Sequence, residues 1–179
     1  MRYDPIGRLL LTPVDRDAPD RVRRLRLLGV GERPEPVFDG FALHLAQLAG
    51  TPYAMVNFIA EERQFYAGLH APAPGTERSR DRDHGYCPHV VVRRKALVLE
   101  DVRDFSRFAG NAVVDETGLR SYLGVPLIDR TGIALGTVCV ADTRPRHWGR
   151  AGLETVKSLA AELSERIRRR EDGGSTHPG

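Results

Sequence analysis

A chain of 179 residues that is 41% apolar and 28% charged can bury one core, and it contains no apolar run near the roughly 18 residues a membrane helix needs. The net charge is only +3, and the 27 basic residues, all arginine except Lys95 and Lys157, are interspersed with 24 acidic ones. Basic clusters interleaved with aromatics are missing, so nucleic acid is not the expected partner. Cys87 and Cys139 are too few for a disulfide framework or a zinc set, and residues 9–11 form too short an apolar run for a signal peptide; the cytoplasm is the expected compartment.

Residues 1–16 lack periodicity and read as a flexible arm. Asp17 stands as an N-cap, Pro19 falls in a first turn, and Val22, Leu25 and Leu28 repeat at a spacing of three before Gly29. The neighbouring arginines, 21, 23, 24 and 26, fall mostly on the other face of this helix. Pro34 and Pro36 open a second helix with Phe38, Phe41, Leu45 and Leu48 on one face, closed by Gly50 and Pro52. Residues 53–60 and 64–69 read as a β-hairpin turning at Glu61 and Glu62. Residues 70–83 are rich in Pro, Gly and charge, which predicts a long exposed loop or lid.

Pro88 is tolerated only in a first helical turn, so a short helix begins near Cys87. Residues 97–99 form a brief strand, and 101–118 read as short helical turns. Residues 122–128 and 133–141 are apolar or small almost throughout and are joined by a Gly-containing loop at 129–132, a hairpin signal. Neither strand alternates, so both faces of this central hairpin are expected to be covered. Gly124 and Gly136 inside it mark places where something approaches the backbone closely. Leu153, Val156, Ala160, Leu163 and Ile167 give residues 151–170 the seam of a long amphipathic helix, and 171–179 read as a disordered tail. Hairpin-paired strands without βαβ crossovers make this an α+β fold: a five- or six-stranded antiparallel sheet with helices on both faces.

The ordered set RRLRLLGV, FDGFALHLAQLAGTPYAMVNFI, YCPHVV, LVLEDVRDFSRFAGN and LRSYLGVPLIDRTGIALGTVCVADTRPR, followed by the closing helix, resembles a GAF domain, the small-molecule sensor family related to PAS domains. The resemblance covers about residues 17–170. It implies that the first, second and last helices lie on one face of the sheet. The segments around Cys87 and Asn111 would wall a ligand pocket on the other. Asn111, Asp115 and Glu116 stand where cyclic-nucleotide members carry part of their pattern, but the lysine and phenylalanine of that pattern are missing. Bilin-binding members attach chromophore to a Cys directly followed by His, whereas Pro88 separates Cys87 from His89. The free methionine sulfoxide reductases of the fold place cysteines on loops, whereas Cys139 reads as an inert thiol in mid-strand. No haem, bilin or metal is indicated, and the cofactor is left open.

The candidate ligand-binding residues are Asn57, Tyr66, Tyr86, Cys87, His89, Tyr122 and Thr137. Asn57 and Thr137 interrupt apolar strands, where a buried amide or hydroxyl needs a partner, either structural or a ligand. The tyrosines can add hydroxyls to the same cavity. Cys87, with His84 and His89 close in sequence, is either a reactive thiol favoured by a helix N-terminus or a small pocket-lining residue; the second is the expectation. The stripes at 17–28 and 151–170 either pack on the sheet or build a homodimer. The functional expectation is a stand-alone sensory domain that binds a small molecule or senses redox state and signals to a separate partner protein. The alternatives are a thiol-dependent, methionine sulfoxide reductase-like enzyme and a structural dimerisation module.

Overall fold

The computed structural model describes residues 12–174. The core is a six-stranded, fully antiparallel sheet in the order β3-β2-β1-β6-β5-β4. Its strands are β1 (Tyr53–Ile59), β2 (Arg63–His70), β3 (Ser79–Asp81), β4 (Leu97–Leu99), β5 (Ser121–Ile128) and β6 (Ala134–Asp142). The hairpin β5–β6 lies inside the sheet, and every residue of β6 is buried. That explains the missing alternation in its sequence, because both faces are covered.

Helices α1 (Ala18–Leu28), α2 (Pro36–Ala49) and α6 (Gly149–Gly174) cover one face. There Val56, Phe58, Leu123, Val125, Leu127, Val138 and Val140 meet Leu25, Phe41, Leu45, Val156, Leu163 and Ile167 in one apolar layer. The seam of α6 is therefore spent on the chain's own sheet, and the outward side of that helix is polar and charged. The helix runs on to Gly174, through part of the segment expected as a tail.

Three local readings are corrected. The buried stripe of α1 is Arg21-Leu25-Leu28, with Val22 only half-buried. Arg21 has no exposed surface; its guanidinium donates to both carboxylate oxygens of Asp15, and its Nε donates to the Ala134 carbonyl. Asp17 is the N-cap residue by position, but its carboxylate pairs with Arg94 and not with the helix. In α2, Leu48 is exposed while Ala42 and Ala46 join the buried face.

The start of the described chain is fastened down. Thr12 donates to Asp83 at 2.7 Å, and Arg82 reaches the same Asp15 that holds Arg21. Burial alone would raise the Asp15 carboxyl, but the hydrogen bond and charge of Arg21, with Arg82, bring it below the usual carboxylate range. The loop at 70–83 is also less free than expected, since its end forms edge strand β3 and Arg78 pairs with Asp39 of α2. Among the described residues no helix is long and apolar enough to cross a membrane.

Candidate functional site

On the sheet's other face, α3 (Cys87–Arg93), a 3-10 turn at Val102–Asp104, α4 (Ser106–Ala109) and α5 (Ala112–Thr117) form an irregular wall. Between wall and sheet lies a cavity of about 90 Å³, large enough for a few waters or a small organic group. Its lining is mostly apolar, from Tyr53, Met55, Leu69, Val113 and Leu119, with Tyr66, Tyr86, Cys87 and Tyr122 on the inner side. Arg80 and His84 supply the polar edge. His84 Nε2 meets Glu116 at 2.7 Å, while its Nδ1 and the Arg80 Nε are buried without a partner among the described residues.

Asn111 builds the wall. Its side-chain oxygen caps α5 at the Val113 amide and also accepts from the Gly85 amide, and its Nδ2 donates to the Gly85 carbonyl. One amide thus staples the 83–85 loop to α5. Asn111 is used up in this way, and Asp115 and Glu116 are exposed, so these three residues do not converge on the cavity.

Beneath the cavity the candidate residues gather around one sulfur. Cys87 Sγ lies 3.2 Å from the Tyr122 hydroxyl, accepts from Thr137 Oγ1 at 3.1 Å, and sits 3.7 Å from Cys139 Sγ. Thr137, Cys139 and Ala141 alternate with Val138 and Val140 along β6, so the pleat itself aims the hydroxyl and the thiol at α3. Tyr122 and Gly124 share a face of β5, and a Cβ at Gly124 would collide with the Tyr122 hydroxyl. That glycine is what lets the phenol lie along the strand and reach Cys87. Gly136 has the corresponding reason in the backbone, since a Cβ there would strike the Asn57 carbonyl.

Asn57 donates from Nδ2 to Gln64 Oε1 at 2.7 Å, and Gln64 Nε2 donates to the carbonyls of Asp81 and His84. This chain holds the amide beside Cys87. The thiol of Cys87 is acidified by the hydrogen bond from Cys139, then by those from the Thr137 and Tyr122 hydroxyls, which together outweigh burial. Cys139 is pushed well up, by donating to Cys87, by burial and by the charge on its neighbour. Burial first, and then the nearby thiolate, also pushes Tyr122 up, so its hydroxyl stays a donor. Helix α3 has only seven residues, and the side chains around the sulfur replace the helix dipole as the reason for its acidity.

Of the seven candidate residues, Asn57, Cys87, Tyr122 and Thr137 come together, and Tyr66 lies close enough for the two thiols to raise its hydroxyl further after burial. Tyr86 packs edge-on against Tyr122, with its hydroxyl donating to the Phe108 carbonyl. His89 does not line the cavity; it is buried edge-on against Phe108. Cys139 is the residue the sequence reading missed. The available signal was its parity with Thr137, two residues apart on one face of a strand opposite Gly124.

The family model for the GAF domain matches residues 33–167. The chain belongs to the GAF domain family. A cyclic di-GMP phosphodiesterase of Pseudomonas aeruginosa is 26% identical over 137 residues, which is 75% of this chain but only 23% of that protein. The chain thus spans under a quarter of its curated relative. Among solved structures, the GAF domain of an Acinetobacter phosphoenolpyruvate-protein phosphotransferase superposes with a TM-score of 0.62 at 20% identity, covering 90% of this chain and 99% of that one. The free methionine-R-sulfoxide reductase of Neisseria meningitidis, solved with its substrate, gives 0.64 at 14% identity, covering 92% and 98%. At such identities the structural likenesses establish the fold. The same GAF scaffold occurs in sensory proteins and in enzymes.

Proposed function

We propose that this GAF domain is a cytoplasmic sensory module that binds one small, mostly apolar molecule with a polar end and signals to a separate protein. The observation that carries this reading is the cavity between sheet and wall, apolar inside, with two buried unpartnered nitrogens, Arg80 Nε and His84 Nδ1, at its edge. A ligand acceptor would satisfy the Arg80 Nε–H, and a ligand donor would satisfy His84 Nδ1, whose ring gives its Nε2 proton to Glu116. The opposite face of the same sheet carries α1 and α6, which are joined by Arg24 pairing with Glu171 and with Asp129 of the β5–β6 turn. Ligand that shifts the wall against β5 and β6 would bias that clasp, a population shift read out on the helices.

The test is native mass spectrometry of freshly purified, reduced protein against its denatured mass. Extra non-covalent mass, lost in Val113→Trp, is the expected result. A bare mass that stays bare after incubation with a small-molecule extract would contradict the reading. Turnover of free methionine sulfoxide that disappears in Cys87→Ser would replace it with an enzyme. A dimeric native mass without ligand would replace it with a structural dimerisation module, built on faces of 17–28 and 151–170 that the sheet does not already occupy.

A further inference from the structure

Both cysteines of the chain lie in a single contact. They are 52 positions apart, on α3 and β6, yet their sulfurs are 3.7 Å from each other with both side chains buried. Two polar side chains crowd the same sulfur, the Thr137 and Tyr122 hydroxyls, both at hydrogen-bond distance. Donors without a basic partner stabilise a thiolate where a neutral thiol would leave them poorly matched. Cys87 also forms part of the cavity lining, so a small neutral molecule that enters the cavity meets the sulfur directly.

We infer that Cys87 and Cys139 are a dithiol oxidised by a small hydroperoxide to an intramolecular disulfide, with Cys87 as the attacking sulfur and Cys139 as the resolving one. In the first step the Cys87 thiolate attacks the outer peroxide oxygen and the O–O bond breaks. The alkoxide or hydroxide leaves, taking the proton that Cys87 had released to solvent, and Cys87 becomes a sulfenic acid. Cys139 then attacks the Cys87 sulfur, the S–O bond breaks, and the leaving oxygen takes the Cys139 proton as water. Two thiols and one hydroperoxide become one disulfide, one alcohol or water, and one further water; the sulfur pair gives up two electrons and the peroxide accepts them.

The geometry divides the roles. Cys87 faces the cavity and collects the donors, whereas Cys139 lies in mid-strand with no exposed surface and is not part of the cavity lining. Closing a disulfide needs the sulfurs to approach by about 1.7 Å from their separation of 3.7 Å. That movement draws the first turn of α3 onto β6 and narrows the cavity above it. The inference goes beyond the ligand reading and does not depend on it, because the thiol pair is complete in the protein alone.

The test uses the full chain, first reduced, then treated with equimolar hydrogen peroxide or a small alkyl hydroperoxide. The expected result is loss of both free thiols, an intact mass lower by two hydrogens, and a reducible peptide linking Cys87 to Cys139. In Cys139→Ala the reaction should stop at a Cys87 sulfenic acid that dimedone traps, with at least a tenfold excess of adduct over wild type. The wild-type peptide map decides the matter even if that variant folds poorly. Two intact thiols after treatment, oxidation of wild type that halts at sulfenic or sulfinic acid, or a disulfide only between molecules would each overturn the inference. None of these outcomes bears on the ligand mass of the reduced protein, so the two proposals fail separately.

Discussion

The two faces of one sheet are built to different rules. The helix face is apolar: Leu45, Val56, Leu123, Val138 and Leu163 have no exposed surface and no side-chain polar atom to satisfy. The cavity face carries Asn57, Gln64, Tyr122, Thr137 and two thiols in comparable burial. A buried polar group adds little net stability even when paired and costs a good deal when unpaired. The helix face thus holds the fold together, while the cavity face places an acidic thiol, its donors and an open space side by side.

Truncation should separate the faces most sharply. Phe58→Ala empties a fully packed position against Phe38 and is expected to cost about 4 kcal/mol in urea unfolding, with Cys87 reactivity per folded molecule unchanged. Arg21→Ala should follow at about 3 kcal/mol, because it leaves the Ala134 carbonyl buried without this donor and the Asp15 carboxylate with Arg82 as its one remaining arginine. A loss below about 0.5 kcal/mol, the ordinary surface range, would show that this guanidinium is hydrated and not structural.

The same carboxylates set the response to acid. Asp15 and Asp129 are both held below the usual carboxylate range, against burial, Asp15 by Arg21 and Asp129 by Thr131 and Arg24. A depressed folded pKa gives stability that is complete above the unfolded value, about 4, and is lost as the pH falls through the lower folded value. The urea midpoint should therefore hold steady from neutrality to about pH 5 and drop below pH 4. Arg21→Ala should flatten part of that drop. A midpoint independent of pH across the acid range would contradict both pairings.

On the cavity face the stability effects should be small and the chemical effects large. Tyr122→Phe removes one hydroxyl from a well-filled site and is expected to cost about 1 kcal/mol. It also removes a donor to Cys87, so the thiol should become less acidic and slower to alkylate at neutral pH. If stability fell by several kcal/mol with reactivity unchanged, the phenol would be a packing group and the contrast between the faces would be lost.

The layers were legible in the sequence because hydrophobic periodicity is a local signal. The unbroken apolar runs of β5 and β6 announced two covered faces, and the α6 seam at Leu153, Val156, Ala160, Leu163 and Ile167 marked what it buries. Strand β3 was not legible, since Ser79, Arg80 and Asp81 pair through backbone and carry no apolar pattern. Arg21 was read as outward-facing because a buried arginine depends on Asp15 and on a carbonyl far along the chain. The site was legible by half. Asn57 and Thr137 stood out as polar residues in apolar strands, but Asn57 is held by Gln64 of the neighbouring strand, and the partner Thr137 shares with Tyr122 is a sulfur on another element. Cys139 looked inert because nothing near it in sequence discloses a second thiol at contact distance; only the packing of α3 on β6 brings the pair together.

The most direct test of the difference between the faces is the pH profile of iodoacetamide alkylation at Cys87 in the reduced protein, read by peptide mass. An inflection below that of free cysteine, with Cys139 protected and with Tyr122→Phe and Thr137→Val each moving the inflection upward, is the predicted result. An inflection at or above that of free cysteine, or Cys139 labelled as fast as Cys87, would show that the cavity face is ordinary core.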